Sequence, residues 1–157
     1  MTYELKKLGY RCECVSEWIK EEIFSGNFNI TQDQIYIFAK QHRKQFILRD
    51  KGLDFIITDS PLLLSSFYGE KYSTTSPILN QLIFQEFYKF NNVNFLLKRT
   101  VPFDTLGRVE SEEQSDQDYK NLISFLNKNN VRYNDILEAE KTNQILKILT
   151  TLGCINV

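Results

Sequence analysis

Four short apolar runs, separated by longer helical patterns, organise the chain. The runs predict β-strands near residues 10–15, 53–58, 93–98 and 131–137. Between the runs, apolar residues recur three and four positions apart, which is typical of amphipathic helices. Because strands and helices alternate, we expect parallel βαβ units with right-handed crossovers. The pattern therefore predicts an α/β fold with a parallel sheet.

The stretch LDFIITDSPLLLS, residues 53–65, has the clearest transition from strand to helix. Residues 55–57 are apolar without alternation, which suits a strand covered on both faces. Pro61 cannot continue a sheet ladder and suits the first turn of a helix. Asp59 would then stand at the carboxyl edge of the sheet, where α/β folds bind ligands. Alternatively, Asp59 or Ser60 only caps the following helix.

The longest helical pattern, QDQIYIFAKQHRKQFILR, runs from about residue 32 to 49. One stripe, which we expect to face the core, holds Ile35, Ala39, His42 and Phe46. A neighbouring stripe holds Gln34, Phe38, Gln41 and Gln45. These glutamines either are exposed to solvent or lie at a pocket edge, where a carboxamide offers a nucleobase both a donor and an acceptor. His42, the only histidine, is expected to be a core or pocket-wall residue rather than a catalyst.

The second half of the chain contains a predicted loop with two arginines, and a helix with a clear N-terminal capping pattern follows it. Residues 99–111, RTVPFDTLGRVES, are irregular and are predicted to form a lid-like loop carrying Arg99 and Arg108. Ser111 and Gln114 have the spacing of a capping box, which predicts a helix running to about Lys128.

Composition and charge narrow the class of protein. The 157 residues carry a net charge of −1 and are 42% hydrophobic, which indicates one compact globular domain, 1–157. Acidic and basic residues are interspersed, which argues against general nucleic-acid binding or membrane-surface binding. No apolar run approaches the about 18 residues of a membrane span. The three cysteines are odd in number and are expected to be reduced thiols, so we predict a soluble cytoplasmic protein.

Glu17 and Asp59 are the candidate catalytic carboxylates. Both follow predicted strands and would therefore lie at the same edge of a parallel sheet. One carboxylate could hold Mg²⁺ or its waters, the other could act as a base for a hydroxyl, and arginines could neutralise a transferring phosphate. This combination favours phosphoryl transfer. No G-x-x-x-x-G-K-[ST] phosphate-binding motif occurs in the sequence.

The sequence resembles the P-loop NTPases of the NadR-like, nucleoside-kinase-like kind, an AAA-type ATPase-like group frequent in phage genomes. The resemblance extends from Tyr3 to about Leu149. It is carried by the blocks YELKKLGYRCECVSEWIKE, DQIYIFAKQHRKQF, DFIITDSPLLLSSFYG and FLLKR, and by the GR of the loop before Ser111.

The resemblance implies a three-layer, parallel-sheet P-loop-kinase-like sandwich that uses ATP and Mg²⁺. It implies that Asp59 is the metal-linked carboxylate and that Glu17 and Arg108 are its catalytic companions. The substrate-binding residues would be Gln34, Phe38, Gln41 and Arg99. The ligand would be a nucleotide or nucleoside.

The chain departs from this family at its beginning, because the first strand and the phosphate loop would precede the helix that ends in YELKKLGY. The usual strand order, 2-3-1-4-5, would lose its middle strand. Either strand 53–58 pairs directly with strand 93–98, or something else fills the gap. We therefore expect a nucleoside- or nucleotide-kinase-like protein that is inactive as this chain. The alternative is a non-catalytic nucleotide- or protein-binding factor, phage-encoded and acting on a host component, with a protein partner or a homo-oligomer covering the exposed sheet.

Overall fold

The computed structural model describes residues 1–106 and 109–156 and has a mixed α/β fold. Its elements are α1 (Thr2–Lys7), β1 (Cys12–Val15), α2 (Trp18–Phe24), a 3-10 helix (Phe28–Gln32), α3 (Gln34–Phe46), β2 (Phe55–Thr58), α4 (Leu63–Tyr72), α5 (Pro77–Phe87), β3 (Phe95–Lys98), α6 (Glu112–Lys128), β4 (Asn134–Leu137), a second 3-10 helix (Glu138–Glu140) and α7 (Lys141–Thr151). Two compact units are present, Met1–Asn92 and Val93–Val157. None of the described helices is both long and apolar enough to cross a membrane.

The strands form two parallel pairs. β1 pairs with β2, so that Val15 lies opposite Thr58, and β3 pairs with β4, so that Phe95 lies opposite Asn134. The parallel pairing with intervening helices confirms the predicted βαβ units. Within the described residues, β2 and β3 are not neighbours in either sheet. The direct pairing of strand 53–58 with strand 93–98, one of the two arrangements expected, is therefore wrong.

Helix α4 is the centre of the first unit and packs against both α3 and α5. Its apolar residues Leu63 and Phe67 are buried, as is Leu62 directly before it. The helix ends at Tyr72, and within it Gly69 gives room for the Thr75 side chain, whose Cβ lies 2.7 Å from the place where a Cβ of residue 69 would stand.

Helix α3 begins where Asp33 accepts a hydrogen bond from the Tyr36 backbone N–H. Its buried residues are Gln34, Ile37, Phe38, Gln41 and Gln45. The predicted core stripe is therefore wrong. Ile35 is 62% exposed and Phe46 is 42% exposed, whereas the neighbouring glutamine stripe faces inward. Of these glutamines, Gln41 bonds the Trp18 backbone N–H and Thr58 Oγ1 through its amide, which an apolar side chain could not do.

The second unit contains the β3–β4 pair and the helices α6 and α7. Ser111 and Gln114 make the predicted capping box, in which each side chain bonds the other residue's backbone N–H. The buried apolar side chains of this unit are Leu96, Phe125, Leu126, Val131, Ile136, Leu149 and Ile155. The predicted lid-like loop at 99–111 includes residues 107 and 108, which lie outside the described residues.

Candidate functional site

The carboxyl edge of the β1–β2 pair is the candidate site. Because the two strands are parallel and Val15 lies opposite Thr58, both strands end at this edge. Asp59 follows β2 directly and is exposed. Glu17 lies two residues beyond β1, at the N-cap position of α2, and is half-buried. The register therefore brings both predicted carboxylate positions to one edge of one sheet.

Gln41 of α3 joins the ends of the two strands. Its Oε1 accepts a hydrogen bond from the Trp18 backbone N–H at 3.0 Å, and its Nε2 donates to Thr58 Oγ1 at 3.4 Å. The side chain is only 3% exposed. Both groups of the amide are thus engaged inside the protein, where they hold the turn after β1 against the end of β2.

Thr58 shapes the backbone on both sides of Asp59. Its hydroxyl donates to the Ser60 carbonyl and accepts from the Ser60 N–H, each at 3.1 Å. The N-cap residue of α4 is Leu62, and no side chain caps that helix. The alternative interpretation of Asp59 or Ser60 as a helix cap is therefore wrong. Among the described residues, none makes a hydrogen bond or ion pair with the Asp59 carboxylate.

Two further glutamines of α3 are buried with polar atoms left over. Gln34 Nε2 donates to the Thr31 carbonyl at 2.7 Å, but Gln34 Oε1 has no hydrogen-bond partner among the described residues. Gln45 Nε2 is likewise buried and has no hydrogen-bond partner among the described residues. Phe38 lies between them on the buried face, with its ring 5.7 Å from the His42 ring. A buried amide atom without a partner costs about 1–3 kcal/mol, so a polar ligand or water would be stabilised at either atom.

His42 links α3 to α5 through Glu86. His42 Nε2 lies 3.2 Å from Glu86 Oε2, and Lys89 Nζ lies 2.5 Å from Glu86 Oε1. The hydrogen bond from Lys89 lowers the pKa of the Glu86 carboxyl, and the hydrogen bond with His42 lowers it further, against an opposing effect of burial. His42 is half-buried between the rings of Phe38 and Phe46. This placement fits a wall residue rather than a catalyst.

Arg99 belongs to the second unit. Its Nη2 lies 2.6 Å from Asp116 and 3.1 Å from Glu112, and its guanidinium carbon lies 5.0 Å from the centre of the Phe103 ring. Nη1 is buried without a hydrogen-bond partner among the described residues. Two carboxylates at the start of α6 thus bind Arg99, which was predicted to bind substrate. Arg108 lies outside the described residues.

The opposite edge of the β1–β2 pair is structural. The Arg11 N–H donates to Asp54 at 2.7 Å, and this bond is the main reason that the pKa of the Asp54 carboxyl is lowered. Burial raises the pKa of the Cys12 thiol. All three cysteines are free, and Cys12 is buried, Cys14 exposed and Cys154 half-buried.

Of the expected Mg²⁺ and ATP, the candidate site offers an exposed carboxylate, Asp59, to the metal alone. A single exposed carboxylate such as Asp59 suits Mg²⁺, which keeps several of its waters in proteins. In residues 1–106 and 109–156, no group of three or more His, Cys, Asp or Glu side chains could enclose a metal ion. The triphosphate does not fit. The glycines with positive φ, Gly9, Gly26, Gly52 and Gly153, do not form a glycine-rich turn that opens a helix.

Thr58 and Trp18 are the site residues that the sequence reasoning missed. The signal for Thr58 was its place as the last residue of the apolar run before Asp59. For Trp18 no signal existed, because it is the backbone N–H that contacts Gln41. No family model matches the chain, and no similar curated protein or solved structure was found.

Proposed function

We propose that the chain is a nucleoside- or nucleotide-kinase-like protein of the P-loop type, related to enzymes that transfer phosphoryl groups with ATP and Mg²⁺. The observation that carries the proposal is the parallel register of β1 and β2, which sets Glu17 and Asp59 at the same carboxyl edge. Asp59 would bind Mg²⁺ through its waters, and Glu17 would be the partner carboxylate. In this proposal the chain has the three-layer, parallel-sheet fold of P-loop kinases.

Gln41 is a positioning residue in this proposal. Because its amide bonds both Trp18 N–H and Thr58 Oγ1, it keeps the two strand ends, and therefore the two carboxylates, in a fixed arrangement. Gln34 is the better candidate for contacting a nucleoside, since its buried Oε1 lacks a donor among the described residues. A base with an exocyclic amino group could supply that donor.

We further propose that the chain does not transfer phosphoryl groups by itself. Positioning of the β- and γ-phosphates provides most of the catalysis in this chemistry. The sequence contains no G-x-x-x-x-G-K-[ST] motif that would provide the amide cradle and the lysine. Asp59 and Glu17 would therefore be one half of a two-part site.

Calorimetry with ATP and Mg²⁺ tests both statements. The chain as printed should bind ATP–Mg²⁺ no tighter than about millimolar. An extended version would carry an apolar strand and a G-x-x-x-x-G-K-[ST] turn leading into α1. That version should bind ATP–Mg²⁺ with a dissociation constant between about 0.1 and 10 micromolar. In the extended version, Asp59→Asn should weaken the Mg²⁺-dependent part of binding at least about tenfold.

The matched control is Asp50→Asn in the extended version. Asp50 is another exposed carboxylate of the first unit, and its φ of 62° is a conformation that asparagine accepts. This control should bind like the unmodified extended version. The proposal fails if the extended version, once shown to be folded, binds no ATP, or if Asp59→Asn and Asp50→Asn behave alike.

A non-catalytic binding protein is the second candidate. It is favoured because two residues that were expected to contact substrate bind other parts of the protein instead. Both groups of the Gln41 amide are hydrogen-bonded within the protein, and Arg99 pairs with two carboxylates. In that case Asp59→Asn would leave the binding of a protein partner unchanged.

A further inference from the structure

The outer face of α3 is an exposed surface of apolar and basic residues. We define it by the apolar residues Ile35, Tyr36, Ala39 and Phe46, with Ile47 at the helix end, and by the basic residues Lys40, Arg43 and Arg49. On a helix with about 100° per residue, its members within α3 fall on one continuous arc. Ile35 is 62% exposed, and Tyr36, Phe46 and Ile47 are each more than 40% exposed.

This face departs from the usual arrangement of a surface helix, whose exposed side is mainly polar. The interior side of α3 holds three glutamines together with Ile37 and Phe38, whereas large apolar side chains also face solvent. Monomeric proteins rarely expose contiguous apolar patches larger than a few hundred Å², and larger patches generally mark interaction sites. The fold of the first unit therefore does not explain the composition of the outer face.

Contacts within the protein hold the large side chains of this face in place. The Tyr36 ring packs edge-on against Trp18 at 5.2 Å between ring centres, and Lys40 Nζ lies 5.0 Å from the Tyr36 ring centre. The guanidinium of Arg49 lies 4.8 Å from the Phe46 ring centre, and that of Arg43 lies 6.0 Å from it. Side chains already ordered in this way lose little conformational entropy when a partner binds.

Charge decides which kind of partner fits. The thirteen residues of α3 include three basic side chains, Lys40, Arg43 and Lys44, and no acidic one. Among the described residues, neither Lys40 nor Arg43 is in an ion pair. Two copies of this face related by a two-fold axis would oppose like charges, which disfavours a symmetric dimer through α3. A double-stranded nucleic acid would leave Ile35 and Phe46 facing its phosphates, which do not cover apolar surface.

We propose that the outer face of α3 binds an amphipathic helix of a partner protein whose apolar stripe is flanked by Asp and Glu residues. The partner's apolar side chains cover Ile35 and Phe46, and its carboxylates pair with Lys40 and Arg43. This is the helix-on-helix mode of recognition, in which apolar anchors give affinity and flanking charges give orientation. The proposal is independent of nucleotide binding at the β1–β2 edge.

Two synthetic helices test the proposal by fluorescence anisotropy with the full chain. Both peptides are about 15 residues long and share one leucine stripe at helical spacing, and one has glutamates beside the stripe whereas the other has lysines. The glutamate peptide should bind at least about tenfold more tightly than the lysine peptide. Ile35→Asp should weaken its binding about tenfold, and Arg43→Glu should weaken it about fivefold while strengthening that of the lysine peptide.

Leu106→Asp is the matched control, because Leu106 is exposed and lies in the second unit. It should bind the glutamate peptide as the unmodified chain does, and circular dichroism should show that every variant keeps its helical content. Equal affinity for the two peptides, or for Ile35→Asp and the unmodified chain, overturns the proposal. Sedimentation that shows a dimer abolished by Ile35→Asp would assign the face to a second copy, and binding of a single-stranded RNA abolished by Arg43→Glu would assign it to RNA. Either result also overturns it.

Discussion

The inner and outer faces of α3 contribute to the protein in opposite ways. The inner face holds Gln34, Gln41 and Gln45, and one of these amides ties the end of β1 to the end of β2. The outer face is apolar and basic, and its large side chains are exposed. The buried Gln41 amide therefore supports the fold, whereas the apolar residues of the outer face lie outside the core. Hydrophobicity alone does not assign the roles of the two faces.

Alanine substitutions at Ile37 and Ile35 should show the largest difference in stability between the two faces. The two isoleucines lie two positions apart on α3, but Ile37 is buried and Ile35 is exposed. Ile37→Ala should lower the free energy of unfolding by about 2–4 kcal/mol, because it leaves a cavity. Ile35→Ala should change it by less than about 0.5 kcal/mol.

Urea denaturation of the two alanine variants measures both values. Equal losses in the two variants would show that the outer face is buried in solution, and the comparison would then be invalid. A loss confined to Ile37→Ala would confirm that only the inner face stabilises the fold.

Gln41→Ala is expected to have the next largest effect. It removes the acceptor of the Trp18 N–H and the donor to Thr58 Oγ1, and both partners lie in a partly buried region. The free energy of unfolding should fall by about 2 kcal/mol. Gln81→Ala is the control, because Gln81 is an exposed glutamine of α5 and should cost less than about 0.5 kcal/mol. If the two variants are equally stable, Gln41 does not hold the strand ends together.

Glu86→Gln tests the contact at the border between the two faces. Because Lys89 and His42 lower the pKa of the Glu86 carboxyl, its stabilising contribution is complete above the unfolded pKa of about 4.3. The contribution is lost as the pH falls through the folded value. Glu86→Gln should therefore cost about 1–2 kcal/mol near neutral pH and should flatten the acid limb of the stability profile.

Glu13→Gln is the control for this pH dependence. Glu13 pairs with Lys6 on the surface, where an ion pair contributes about 0–1 kcal/mol. Thermal denaturation followed across the acid range measures both variants. An acid limb that Glu86→Gln leaves unchanged would mean that the contact between His42 and Glu86 does not stabilise the protein.

The strands and helices could be predicted from the sequence because local patterns determine them. The apolar run before Asp59 and the capping box at Ser111 each involve residues only a few positions apart. The inward face of α3 could not be predicted, because it depends on a backbone N–H at Trp18 that is 23 positions from Gln41. The hydropathy pattern contains no information about a hydrogen bond between a side chain and a distant backbone N–H.

The candidate site could be predicted only as positions along the chain. Glu17 and Asp59 follow parallel strands, so their shared edge was visible from the pattern. The partners of Arg99 were not, because Glu112 and Asp116 follow an irregular segment, and Asp116 is 17 positions from Arg99. The sequence shows which charges exist but not which of them meet.

Gln45→Met gives the smallest expected effect and refines the account of the inner face. Gln45 is 6% exposed, and its Nε2 has no hydrogen-bond partner among the described residues. Methionine has a similar shape and no buried donor, so the free energy of unfolding should rise by about 1 kcal/mol. Gln34→Met should change it little, because relief of the unpaired Oε1 is offset by loss of the bond to Thr31. If Gln45→Met is destabilising instead, a bound water or ligand satisfies Nε2 in solution, and the inner face then includes a polar site as well as structural amides.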